Sequence, residues 1–127
     1  MAEAFAIDDE MFEDWVFDAL DELPDEYKAG LGPLAVLIEE APTAEQLARV
    51  GVPAMYGLFE GVHRGGYEAR WTLLPSRITI FRGTCLRDGG TLEGTRALVR
   101  RTVLHEVAHQ LGIPDERIHE LMGDHAH

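Results

Sequence analysis

Residues 105–115 read HEVAHQLGIPD, and no other stretch constrains the chain as tightly. His105 and His109 are four apart, so a helix projects both from one face and lets two imidazoles converge on a single divalent ion. Glu106, next to the first histidine, can reach a water on that ion without becoming a ligand. Leu104, Val107, Ala108 and Leu111 fall on the opposite side of the same helix. The helix must therefore lie with its back on a hydrophobic layer, which leaves the two histidines toward an open side. Gly112 supplies the left-handed backbone that ends a helix.

The donor types point to one zinc ion as cofactor. A catalytic zinc takes three protein ligands and keeps one position for water, whose pKa falls to about 7. Glu106 is then placed as the general base. The third ligand has two readings. Asp115, following Gly112, can swing back to the ion; the same Asp115, after Pro114 and before Glu116-Arg117-Ile118, is a good N-cap for a last helix over 116–122. Glu116, His119 and Glu120 compete for the ligand position. His119, one turn beyond Asp115, either hydrogen-bonds a transition-state oxygen or a neighbouring group, or is an exposed bystander. His63 beside Arg64-Gly65-Gly66 reads as a loop residue, and His125 and His127 end a polar tail. Cys85 reads as a small buried hydrophobe.

Bulk properties narrow the class. A chain of 127 residues, 46% hydrophobic and 27% charged, suits one globular domain, with 1–7 and 123–127 expected to be flexible. The start carries no basic and apolar leader pattern, and no apolar run approaches the roughly 20 residues needed to span a bilayer. A single cysteine favours a reducing compartment. The expectation is a cytoplasmic protein that does not engage a membrane. Of the net charge of −12, residues 1–26 carry −11, and the remainder has twelve acids against eleven bases. Such a chain repels phosphate backbones, so nucleic acid is disfavoured as a partner. The acidic segment reads as a solvated helix face, or as an attractant for a basic peptide.

Residues 8–23 repeat apolar positions at helical spacing (Phe12, Trp15, Val16, Ala19, Leu23), with Asp8 as N-cap and Pro24 as stop. Gly30, Gly32 and Pro33 mark a turn into Leu34–Ile38, a run that suits a buried strand. A short helix over 43–50 opens at Thr43 and ends at Gly51. Residues 54–62 are ambiguous, with strand-like Tyr56, Leu58 and Phe59 interrupted by glycine. Residues 77–82 alternate like a strand with one wet face, which as an exposed edge could take up a peptide; the other reading is an ordinary internal strand. Asp88-Gly89-Gly90 reads as a loop, and 92–111 as the long helix that carries the histidines.

The succession FEDWVFDALDELPDEY, LAVLIEEAP, YGLFEG, RITIFR and VLHEVAHQLGIPDERIHEL resembles the small bacterial zincin-like metallopeptidase family, over about Phe12 to Leu121. The resemblance implies an α+β, minimal zincin-like fold, with a small mixed β-sheet packed on an N-terminal helix and an HExxH active-site helix. It also implies HExxHxxGxxD as the metal site, which makes His105, His109 and Asp115 the ligands and Glu106 the base. Metzincins place a methionine turn beneath the zinc well downstream; here twelve residues follow Asp115, and Met122 is the methionine among them. The expected function is zinc-dependent hydrolysis of peptide bonds by a metal-activated water, with a peptide or protein as substrate. The alternative is a zincin scaffold that binds metal or a partner with little or no turnover. A metal-dependent nuclease or deacylase is a third reading, and the acidic surface counts against the nuclease.

Overall fold

The structure is a computed structural model that describes residues 7–52, 54–60, 76–114, 116–117 and 120. Helix α1 (Asp9–Asp21) starts where Asp8 accepts a hydrogen bond from the Met11 amide at 3.1 Å, and Asp9 and Glu10 complement the positive end of its dipole. Its inward stripe buries Phe12, Trp15, Val16 and Ala19, the first two rings meeting edge to face at 5.1 Å. Ile7, just before it, is also buried.

Helix α2 (Asp25–Leu31) occupies a stretch where the sequence suggested only a turn. Pro24 presets the backbone at its start, Asp25 and Glu26 fill its first turn, and Leu31 is buried at its end. That burial outweighs the roughly 1 kcal/mol cost of Gly30 in a helix. Strand β1 (Leu34–Glu39) follows, then α3 (Ala44–Val50). The start of α3 is a capping box, in which Gln46 Oε1 accepts from the Thr43 amide at 2.8 Å and Thr43 Oγ1 from the Gln46 amide at 3.0 Å.

Strands β2 (Gly57–Glu60) and β3 (Ser76–Phe81) complete a sheet of order β1-β3-β2. β1 runs parallel to β3, from Leu34 opposite Ser76 to Glu39 opposite Phe81. β2 runs antiparallel to β3, with Gly57 opposite Ile80 and Glu60 opposite Arg77, the last pair joined at 2.8 Å. β3 is thus the central strand. Of its six residues only Arg77 is exposed, and Thr79 and Phe81 on one face are as buried as Ile78 and Ile80 on the other. Of the two readings of 77–82 the internal strand holds, since β3 is paired on both sides, and the wet face is reduced to Arg77 because Thr79 and Phe81 are covered. β1, expected to be buried, is half-buried and lies at the edge of the sheet among the described strands.

Helix α4 (Arg82–Gly89) follows β3 directly and takes in Asp88 and Gly89, which read as loop in the sequence. It leaves β3 without a side-chain cap, and Arg82 is held by Asp9, Glu40 and the Ile7 carbonyl. Its glycine end looks like a breaker but serves a close approach to α5 (Leu92–Gln110): a Cβ on Gly89 would stand 2.5 Å from Thr95 Cα. α1 and α4 pack on α5, and α5 packs on β2. The core lies between these helices and the sheet. The result is the α+β architecture expected, a small mixed sheet against an N-terminal helix and the histidine-bearing helix. Among the described residues no helix is long and apolar enough to cross a membrane.

Candidate active site

α5 carries the site because its other face is locked. Thr91 caps its start, accepting from the Gly94 amide at 2.9 Å. Thr95, Val99, Val103, Leu104, Val107 and Ala108 are buried along one stripe. Burial of that stripe fixes the rotation of the helix, and His105 and Glu106 emerge half-buried, with His109 exposed. The two imidazoles stand 6.0 Å apart between ring centres, inclined at 69°. A ring centre lies roughly 3.2 Å from an ion held by its nitrogen at about 2.1 Å, so two rings on one tetrahedral ion stand about 5.2 Å apart. The observed spacing is about 0.8 Å wider, so the two rings draw together to share an ion, and two imidazole nitrogens beside a carboxyl are a donor set that suits zinc.

His105 Nδ1 lies 3.3 Å from the Arg101 carbonyl. With the proton on Nδ1, the ring donates to that carbonyl and turns the Nε2 lone pair outward, the usual way a metal-binding histidine is oriented. The helix ends in a Schellman motif. Gly112, at φ 76°, donates to the His109 carbonyl at 3.1 Å, and Ile113 to the Ala108 carbonyl at 2.9 Å. Ile113 is itself buried, which anchors the turn leading toward residue 115. Glu116 and Arg117 resume helical backbone, and Arg117 pairs with Glu120 at 3.0 Å.

Asp115, His119, His63, Met122, His125 and His127 lie outside the described residues. Among the described residues, no three His, Cys, Asp or Glu side chains cluster as a metal site. The pair His105 and His109 is therefore brought together with Glu106 beside it, while the choice among third ligands falls on positions not described or, for Glu116 and Glu120, not clustered with the pair.

Among the described carboxylates Glu106 and Asp88 are shifted in opposite directions. Burial pushes the Glu106 pKa above the ordinary glutamate value; a hydrogen bond from the Phe59 backbone and the nearby His109 and His105 oppose that shift without cancelling it. Asp88 shows the contrast. Arg87 and Tyr56 both donate to it, Tyr56 Oη at 2.7 Å, and hold it below the ordinary range. Cys85 is fully buried, and burial pushes its thiol up to about 12, which keeps it protonated at neutral pH as a small buried hydrophobe.

A cleft of about 510 Å³ opens between α5 and the segment that leads into β2. One wall is Ala54 to Gly57, and the other is Leu98, Arg101, Thr102, His105 and Glu106. Gly57 sets its width: a Cβ there would meet Thr102 Cγ2 at 2.9 Å and the Thr79 carbonyl at 3.1 Å. Tyr56 is fixed in the wall by its bond to Asp88 and by its carbonyl, which accepts from the Phe81 amide at 2.9 Å. Sequence reasoning missed Tyr56, Gly57, Arg101 and Thr102 as parts of the site. The signal for Arg101 was available, since it precedes His105 by four and shares its helix face. Nothing local marks Tyr56, whose place depends on a pairing with β3 across a long sequence gap.

A family model described as a zincin-like metallopeptidase matches residues 31–124, which include the whole of the HEVAHQLGIPD stretch. No curated protein matches the chain.

Proposed function

The chain belongs to the zincin-like metallopeptidase family, and from that premise we propose that it hydrolyses peptide bonds with one zinc ion, held by His105, His109 and Asp115. The observation that carries this reading is the placement of Glu106: a half-buried carboxyl with a raised pKa, beside two imidazoles on a locked helix, at the wall of a peptide-sized cleft. When bound, the ion would supply Lewis-acid stabilisation of developing negative charge and acidify water.

The side chains account for the remaining chemistry. Glu106 takes a proton as the water oxygen attacks the carbonyl carbon, and returns it to the amine nitrogen as the C–N bond breaks. A carboxylate whose pKa is raised by burial holds the proton between the two halves of that exchange better than an ordinary glutamate does. The Arg101 carbonyl orients His105, and the Phe59 backbone holds the Glu106 carboxylate. Among the described residues β2 is paired on one side only, beside this cleft, so an extended peptide added along its other side would pass over Glu106 and His105. β2 rather than β3 therefore takes the peptide-holding role. His119 is assigned to a transition-state oxygen or to a group behind the ligands, one turn beyond Asp115.

The test is digestion of a mixed peptide library by the zinc-loaded native chain and its Glu106→Gln variant. New termini from the native chain, reduced by about 10²–10⁴ in rate for the variant, support general-base catalysis. Equal products from both, or none from either, would favour the second reading, a zincin scaffold that binds metal or a partner without turnover.

A further inference from the structure

Seven of the nine described basic side chains form an ion pair with a carboxylate; the exceptions are Arg96 and Arg101. In a chain of net charge −12 such pairing is expected, and a cation left over is informative where it lines a reaction cleft. Arg96 lies in a separate groove between α1 and α5, beside Asp18, Glu22 and Glu93. Arg101 lines the cleft that holds His105 and Glu106, with an exposed side chain. Asp88, behind Tyr56 on the opposite wall, is already engaged by Tyr56 and Arg87 and does not neutralise it.

We infer that Arg101 is a specificity residue that binds a carboxylate of the peptide substrate, either an aspartate or glutamate side chain or the free C-terminus. The inference rests on the peptidase reading and names the substrate class for it. Arg101 precedes His105 by four residues, about 6 Å along the helix axis. An extended peptide advances about 3.3 Å per residue, so the carboxylate belongs roughly two residues from the bond that is cut. A guanidinium presents a planar fork of donors that matches a carboxylate, and the partly enclosed cleft screens that pairing less than open solvent does. The acids concentrated in residues 1–26 repel anionic substrates at long range. Selection by Arg101 is therefore short-range and belongs to residues beside the cut.

The experiment uses an octapeptide library made with free and with amidated C-termini. Zinc-loaded native, Arg101→Lys and Arg101→Glu chains digest it, and cut sites are read by mass spectrometry. The inference predicts native cuts enriched in an acidic residue, or in a free C-terminus, about two positions from the bond. Arg101→Glu should lower kcat/KM for those peptides by roughly tenfold, mostly through KM, and favour basic residues instead; Arg101→Lys should keep part of the acidic preference. Loss of selection only in the amidated set identifies the chain terminus as the ligand. Cutting with no acidic preference, or with a profile that Arg101→Glu leaves unchanged, overturns the assignment while the peptidase reading stands. The same library is also equilibrated with Glu106→Gln and with Glu106→Gln/Arg101→Glu chains, and the retained peptides are sequenced. If the native chain cuts nothing, the peptidase reading fails, yet acidic peptides held by the first chain and not the second still support the Arg101 site. Equal retention by both chains overturns it.

Discussion

On the inward face of α5, Val99, Val103, Leu104, Val107 and Ala108 are at most 3% exposed. On its outward face, Arg101, His105, Glu106 and His109 meet a cleft or solvent. The inward residues gain stability from burial at about 25 cal/mol per Å² and need nothing else. The outward face contributes little of that kind, and at Glu106 it costs something, since burial disfavours the ionised carboxyl. One helix therefore divides the labour: packing on one side fixes the direction in which chemistry is presented on the other.

That division predicts that the two faces respond to different measurements. Leu104→Ala removes a buried side chain from the inward face and should cost about 2–5 kcal/mol in thermal or urea unfolding. Zinc bound per folded chain should remain that of the native protein. If the variant keeps its stability but loses zinc, the separation of the faces is wrong.

The wall opposite α5 allows a smaller test. Gly57→Ala places a methyl group against Thr102 and the Thr79 carbonyl, and should cost about 1–3 kcal/mol by overpacking. It should also push β2 from α5, so peptide hydrolysis should fall even at temperatures where the variant is fully folded. A variant as stable and as active as the native chain would show that the contact yields freely.

The smallest effect has the opposite sign. In metal-free protein the folded pKa of Glu106 lies above its unfolded value of about 4.3. The stability linked to this group is fully present below that pH, and is lost as pH rises through the raised folded value. Glu106→Gln removes the titration. At pH 7 the metal-free variant should melt above the metal-free native chain, and the gap should close near pH 4. A native chain that melts higher at pH 7 would mean that the carboxylate is well compensated in the fold.

Much of this was legible in residues whose signals are local. Asp8, Thr43 and Thr91 each cap the helix that follows, and the apolar stripes of α1 and α5 recur at helical spacing. Gly112 ends α5 with the left-handed backbone that its position called for. The failures share one cause, which is tertiary packing that overrides local preference. Gly30 is tolerated within α2, where Leu31 is buried, and Gly89 at the end of α4 permits contact with Thr95. The position of β3 between two partners could not be read from Arg77 to Arg82, because an alternating strand looks alike at a sheet's centre and its edge. The site divides in the same way. The histidine pair and Glu106 are spaced along one helix, whereas the cleft wall of Tyr56 and Gly57 arrives through pairing with β3.

The central claim is that His105 and His109 hold the metal while Glu106 serves the reaction and not the ion. Calorimetric zinc titration of four metal-stripped chains tests it most directly: native, His105→Ala, His109→Ala and Glu106→Gln. The account predicts one zinc per native chain, binding weakened at least about 100-fold in either histidine variant, and near-native affinity in Glu106→Gln. A native chain that binds no zinc, or a His105→Ala chain that binds it as tightly as the native one, would contradict it.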